Sequence, residues 1–159
     1  MISIKSDYEI SLMKKAGNIV YKTHKYLEPF LKDGITTKEI DKLAHDFIIK
    51  EGATPSFLNY NGFPGTICTS INDEVVHGIP SNRKIKNGDI VKLDIGACWK
   101  GYHGDSAWSY AIGDVSDDIK YLMEHTKKAL YVGLEQVKPG NHIGDIGAAI
   151  ILTDTTDNG

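Results

Sequence analysis

Val91-Lys92-Leu93-Asp94-Ile95-Gly96-Ala97-Cys98-Trp99-Lys100-Gly101-Tyr102-His103-Gly104-Asp105 is the most informative stretch of this 159-residue chain. Residues 90–99 alternate and are rich in β-formers, Lys100-Gly101 is a turn signal, and 102–112 is a second run carrying Trp108 and Tyr110. A β-hairpin is therefore predicted. If Lys100 and Gly101 are its two loop residues, Gly96 faces Asp105 and Asp94 faces Ala107. Both carboxylates then lie on one sheet face as diagonal neighbours about 7–8 Å apart, whereas an odd-numbered loop would put them on opposite faces. Aspartate is depleted in strands and like charges repel, so the pair needs a compensating positive charge, which a divalent cation can supply. A solvated hairpin face carrying two acids satisfies the same spacing, because antiparallel sheets often keep one wet face. Spacing alone fits both readings.

Two helices are predicted before the hairpin. Ser6-Asp7-Tyr8-Glu9 has the capping-box pattern, and Ile10, Met13, Ala16, Gly17, Val20, Leu27 and Phe30/Leu31 keep a rough helical stripe up to Pro29 and the Asp33-Gly34 break. Thr36-Thr37-Lys38-Glu39 opens a second helix with Ile40, Leu43, Ala44, Phe47 and Ile48 inward and Gly52 as its stop. Strand-like runs follow at 54–57 and 66–70, joined by a loop over 58–65 and followed by a polar connection over 78–89. After the hairpin, Ser116 or Asp117 opens a helix to about residue 137, with Ile119, Leu122, Met123, Thr126, Ala129 and Leu130 on one face. Pro139-Gly140 closes it, and Asn141 begins another helix that the chain is expected to abandon. The order α-α-β-β-β-β-α predicts an α+β fold with helices covering one face of a sheet.

Composition narrows the function classes. With 41% hydrophobic and 25% charged residues the chain can build one globular core, and its net charge of −3 argues against general binding of nucleic acid. Cys68 and Cys98 form no Cys-x-x-Cys pair, which fits reduced thiols in a cytoplasmic protein. Neither a signal-peptide pattern nor a bilayer-length apolar run is present, so no membrane partner is expected. His-Glu-x-x-His, P-loop, G-x-S-x-G and EF-hand patterns are also lacking. His24, His45, His125 and His142 fall in or beside helices, with nothing in the spacing that ties them to the hairpin.

Further motifs flank the hairpin: Asn59-Tyr60-Asn61-Gly62-Phe63-Pro64, Cys68-Thr69-Ser70-Ile71-Asn72-Asp73-Glu74-Val75-Val76-His77-Gly78-Ile79-Pro80, and Asn87-Gly88-Asp89-Ile90-Val91. Together with Gly101-Tyr102-His103-Gly104-Asp105 they resemble type I methionine aminopeptidase, a resemblance that runs to about Ile150. It implies an α+β pita-bread metallohydrolase that removes the initiator methionine from nascent proteins, using two divalent metal ions (Co, Mn, Fe or Zn). Asp94 and Asp105 match the family's first two metal ligands, and His77 matches its substrate-side, catalytic histidine. Tyr60, Phe63 and Cys68 match positions lining the pocket for the methionine side chain. By residue type alone, a histidine such as His77 is more often a local hydrogen-bonding group at a strand end, and the aromatic residues serve equally as core. His103, two residues before Asp105, is expected to pack or to make an outer contact.

The resemblance also implies three further ligands, a histidine in a Gly-His-Gly motif and two glutamates, which the 159 residues do not contain. The expected division is 1–150 as the N-terminal part of the catalytic domain and 151–159 as a divergent polar tail. A truncated chain of this kind is expected to be inactive alone and to associate through exposed apolar surface. The alternative function is a half-domain remnant that binds peptide N-termini or a partner chain.

Overall fold

The computed structural model describes residues 3–156, which divide between Val115 and Ser116 into two compact units. The first unit opens with α1 (Asp7–Leu27), capped reciprocally: the Glu9 amide donates to Ser6 Oγ at 3.4 Å and the Ser6 amide to Glu9 Oε2 at 2.7 Å. Its buried face is Leu12, Ala16, Ile19, Val20, Thr23 and Leu27. Ile10 and Met13, expected inward, are 39% and 41% exposed. The stripe starts at Leu12, and a residue one position along lies about 100° around the helix from it. A 3₁₀ turn at Glu28–Phe30 follows, with Pro29 in its first turn.

α2 (Thr37–Lys50) repeats the capping box with Thr36 and Glu39, and Ile40, Ala44 and Ile48 are fully buried. It ends as Gly52 requires: at φ 79° this residue donates to Ile49 O, and the Ala53 amide donates to Ile48 O. Those two bonds are the Schellman pair that satisfies the last carbonyls of a helix.

The sheet is antiparallel, with β3 (Ile90–Trp99) flanked by β4 (Tyr102–Ala111) on one side and by β1 (Thr54–Pro55) and β2 (Cys68–Ile71) on the other. β1 is only two residues of the expected 54–57 run, because Pro55 has no N–H for the ladder and the chain leaves the sheet after Ser56 N donates to Gly96 O. β2 begins two residues later than expected and ends at Ile71. The hairpin has the predicted even loop: Trp99 pairs with Tyr102, Cys98 with His103, Gly96 with Asp105, and Asp94 with Ala107. Lys100 at φ 50° and Gly101 at φ 85° give the doubly left-handed turn that matches strand twist.

Parity splits the sheet into two faces. Val91, Leu93, Ile95 and Ala97 are fully buried and join Ile19, Val20, Leu27, Ile40, Ala44 and Ile48 in one apolar core. On the same face Gly104 lets α1 lie directly on β4, since a Cβ there would be 2.5 Å from Gly17 N. The face carrying Asp94 and Asp105 points away from that core.

The second unit is a helical hairpin. α3 (Asp117–Leu134) is capped by Ser116, and α4 (Ile143–Thr156) passes residue 150 without a break, so residues 151–156 are helix and the helix expected to be abandoned is 14 residues long. The seam between them is tight at Gly133, where a Cβ would lie 2.9 Å from Ile150. α3 stops at Leu134, short of residue 137, and Leu122, Thr126 and Leu130, expected inward, are exposed.

Candidate metal centre

The register brings three expected site residues onto one face. Cys68 of β2 stands directly opposite Asp94 of β3, and Asp105 of β4 stands opposite Gly96, two residues further along β3. Asp94 is half-buried, and its carboxyl is pushed up to about 6 from an ordinary 3.8. Burial is the largest cause, the Asp105 charge comes next, then the hydrogen bond between the two carboxyls; the charge of His77 acts in the opposite direction. Cys68 is buried, and its thiol is pushed up to about 11, first by burial and then by Asp94 and Asp105. A thiol raised in this way is neutral and presents a weakly polar surface beside the two carboxylates.

Gly96 faces Asp105 as the register predicts, and the space a side chain would take there is filled. A Cβ at Gly96 would lie 2.6 Å from the Phe57 ring and 2.9 Å from Ser56 Cβ, so the Ser56-Phe57 segment lies over the hairpin beside the carboxylates. His103 Nδ1 and Ser56 Oγ, 2.9 Å apart, hold it there. Phe57 is thus a neighbour of the carboxylate pair that sequence reasoning missed; its signal was a glycine mid-strand, which marks the close approach of another group.

His77 does not end a strand. β2 stops at Ile71, and His77 sits exposed in the following loop at φ 59°. Gly78 lays that loop flat against β2: its amide donates to Ser70 Oγ at 3.1 Å, its carbonyl accepts from the Thr69 amide at 2.8 Å, and a Cβ would lie 2.2 Å from Thr69 O. Glu74 braces the loop from within, accepting from the Ile71 amide at 2.7 Å and from Arg83 at 2.8 Å. Tyr60 and Phe63 ride on the loop before β2, a left-handed turn with Asn59 at φ 65°, Asn61 at φ 48° and Gly62 at φ 81°. Asp41 anchors the end of that loop by accepting from the Thr66 and Ile67 amides at 2.7 and 2.9 Å. Tyr60 is 68% exposed and so is not core, and Phe63 is half-buried. Among the described residues neither is joined to the carboxylates by a hydrogen bond or ring contact.

Two adjacent carboxylates, one of them raised to about 6 first by burial and then by the charge of the other, fit a hard divalent cation. They are a partial donor set: among the described residues no group of three or more His, Cys, Asp or Glu side chains is placed to hold a metal ion. A groove of about 760 Å³ elsewhere in the first unit is lined by Thr36, Lys38, Asp41, His45, Thr66 and Lys84 and includes neither Asp94 nor Asp105.

A helix-backed antiparallel sheet presenting paired carboxylates on its other face is the arrangement expected of part of a pita-bread fold. The chain belongs to metallopeptidase family M24, which it matches over residues 11–155. It is 53% identical over 150 residues to methionine aminopeptidase 1 of Bacillus subtilis, an alignment covering 94% of this chain and 60% of the relative. The crystal structure of methionine aminopeptidase from Rickettsia prowazekii superposes with a TM-score of 0.96 at 40% identity, over 99% of this chain and 64% of that one. That of the Thermotoga maritima enzyme gives 0.95 at 35%, over 99% and 64%. The expected family and pita-bread α+β fold are borne out, and the chain spans about 60% of the length of the relatives it matches. Membership of this family implies divalent metal use and peptide substrates. No helix among the described residues is long and apolar enough to cross a membrane.

Proposed function

We propose that the protein is a divalent-metal-dependent aminopeptidase that removes the initiator methionine from nascent proteins and peptides in the cytoplasm. The observation that carries this reading is the Asp94–Asp105 pair, brought together by the hairpin register and holding a proton that a cation would displace. Asp94 and Asp105 serve as two of the ligands to a pair of divalent ions, with the remaining donors supplied from outside these 159 residues. Hard carboxylate ligands suit Mn or Fe, with Co and Zn as the other members of the set. When bound, such ions supply activation of water and polarisation of the scissile carbonyl.

This chain's own residues bind and orient. His77, held beside β2 by Gly78, donates a hydrogen bond to the substrate's scissile amide. Phe57 and the neutral Cys68 thiol, with Tyr60 and Phe63 from the neighbouring loop, form an apolar pocket suited to a flexible, polarizable thioether. Self-association through exposed apolar side chains accompanies the isolated chain.

The test joins this chain to the carboxyl-terminal portion of the Bacillus subtilis relative and follows release of methionine from Met-Ala-Ser in Mn(II). We expect Asp94→Asn and Asp105→Asn to abolish it, and His77→Ala to lower turnover by about 10²–10⁴. Full activity in either aspartate variant would refute the assignment, and full activity in His77→Ala would reduce His77 to a packing residue. The same chimera should accept norleucine in place of methionine. The alternative, a half-domain that only binds peptide N-termini, predicts binding without release.

A further inference from the structure

His24 is the buried titratable group that the proposed chemistry leaves unused. It lies on the inner face of α1, 7% exposed, and both ring nitrogens engage β4: Nε2 is 3.1 Å from Ser106 O and Nδ1 is 3.0 Å from Tyr110 Oη. A carbonyl can only accept, so Nε2 carries the proton; Nδ1 is then a lone pair that accepts from the Tyr110 hydroxyl. Burial supports both assignments, since it lowers the His24 pKa and pushes Tyr110 up to about 12, leaving neutral partners on each side.

The Ser106 carbonyl belongs to the peptide linking Ser106 to Ala107. Asp105 precedes that peptide, and Ala107 is the residue facing Asp94. The carbonyl that meets His24 thus lies one residue past Asp105, on the β4 segment that pairs with β3 between Asp94 and Gly96. On the other side of Asp105, Gly104 rests on the Ala16-Gly17 backbone of the same helix, so α1 grips β4 at both neighbours of the ligand. Ser106, itself exposed, pairs with the fully buried Ile95 and so lies on the α1 side of the sheet by parity, while Asp105 is on the other.

We propose that His24 is a positioning residue for the carboxylate centre, fixing through the Ser106 carbonyl the β4 backbone that carries Asp105. This rests on the reading of Asp94 and Asp105 as metal ligands. A site of this kind tolerates displacements of only about 0.5 Å, and loss of an orienting contact costs about 10–100-fold in metal affinity when it acts on a ligand directly. One residue removed, the expected loss is about 5–10-fold.

The test compares His24→Gln, which keeps a donor at the Nε2 position, with His24→Met, which has similar length and none. The Mn(II) dissociation constant of the 159-residue chain is measured alongside hydrogen exchange of the amides at 105–108 without metal, with Asp105→Asn as reference. The expected result is that His24→Met raises the dissociation constant by about 5–10-fold and speeds exchange at 105–108 more than at Leu93 and Ile95, while His24→Gln restores both to within about 2-fold of wild type. Wild-type affinity and exchange in His24→Met overturn the inference, and so do equal losses in the Gln and Met variants, which would make His24 a packing residue. If Asp105→Asn binds Mn(II) as wild type does, the metal reading fails; local exchange in His24→Met then still decides whether His24 holds this backbone. Should His24→Met not fold, Tyr110→Phe preserves the buried ring and frees Nδ1. A rise of about 2–3-fold in the dissociation constant then supports the role, and no change refutes it.

Discussion

Asp94 makes the pair a liability to the metal-free protein. Its folded pKa of about 6 stands above the ordinary 3.8, so the folded state binds its proton more tightly than the unfolded state does. Such a group contributes stability that is present below about pH 4 and is lost as pH rises through about 6. Glu9, Glu39 and Asp46 are shifted downwards by caps and pairs and act in the opposite sense, so the comparison must be a difference. We expect urea unfolding to show that Asp94→Asn gains stability relative to wild type between pH 4.5 and pH 7, and that saturating Mn(II) removes the gap. A constant difference across that range would mean that Asp94 is not perturbed. At this level the sequence was only partly legible. Aspartates in a strand stood out because strands disfavour them, but Phe57 over Gly96 and His24 under Ser106 depend on packing across about 40 and 80 positions, which no local pattern encodes.

The hairpin is the element on which everything else turns, and it was legible because its signals agree. Alternation sets the faces, and Lys100-Gly101 sets an even loop. The capping boxes of α1 and α2 and the Gly52 stop were equally local and equally readable. The edges were not. Pro55 cut β1 to two residues, and the helical stripe of α1 started at Leu12, because which apolar residues face inward depends on where Gly17 meets Gly104. Register being the causal variable, inserting one glycine between Lys100 and Gly101 should invert the faces beyond the turn. We expect this variant to lose Mn(II) binding, with the core disrupted as Asp105 is driven toward α1; retained binding would show that the carboxylates do not depend on the even loop.

For the molecule as a whole, one helix-backed sheet explains why a single chain segment can be both well packed and chemically partial. The core of the first unit is closed by its own helices, whereas the donor set on the opposite face stops at two carboxylates among the described residues. Family and fold were readable because the motifs around residues 59–80 and 87–105 are dense and specific, and the match continues to residue 155 across the expected boundary at 150. The most direct test of the paired-carboxylate centre is calorimetric titration of the 159-residue chain with Mn(II), in wild type and in Asp94→Asn and Asp105→Asn. We expect weak binding by wild type, because two carboxylates offer few donors, and its loss in both variants. Heats unchanged by either substitution would contradict the joint role of Asp94 and Asp105.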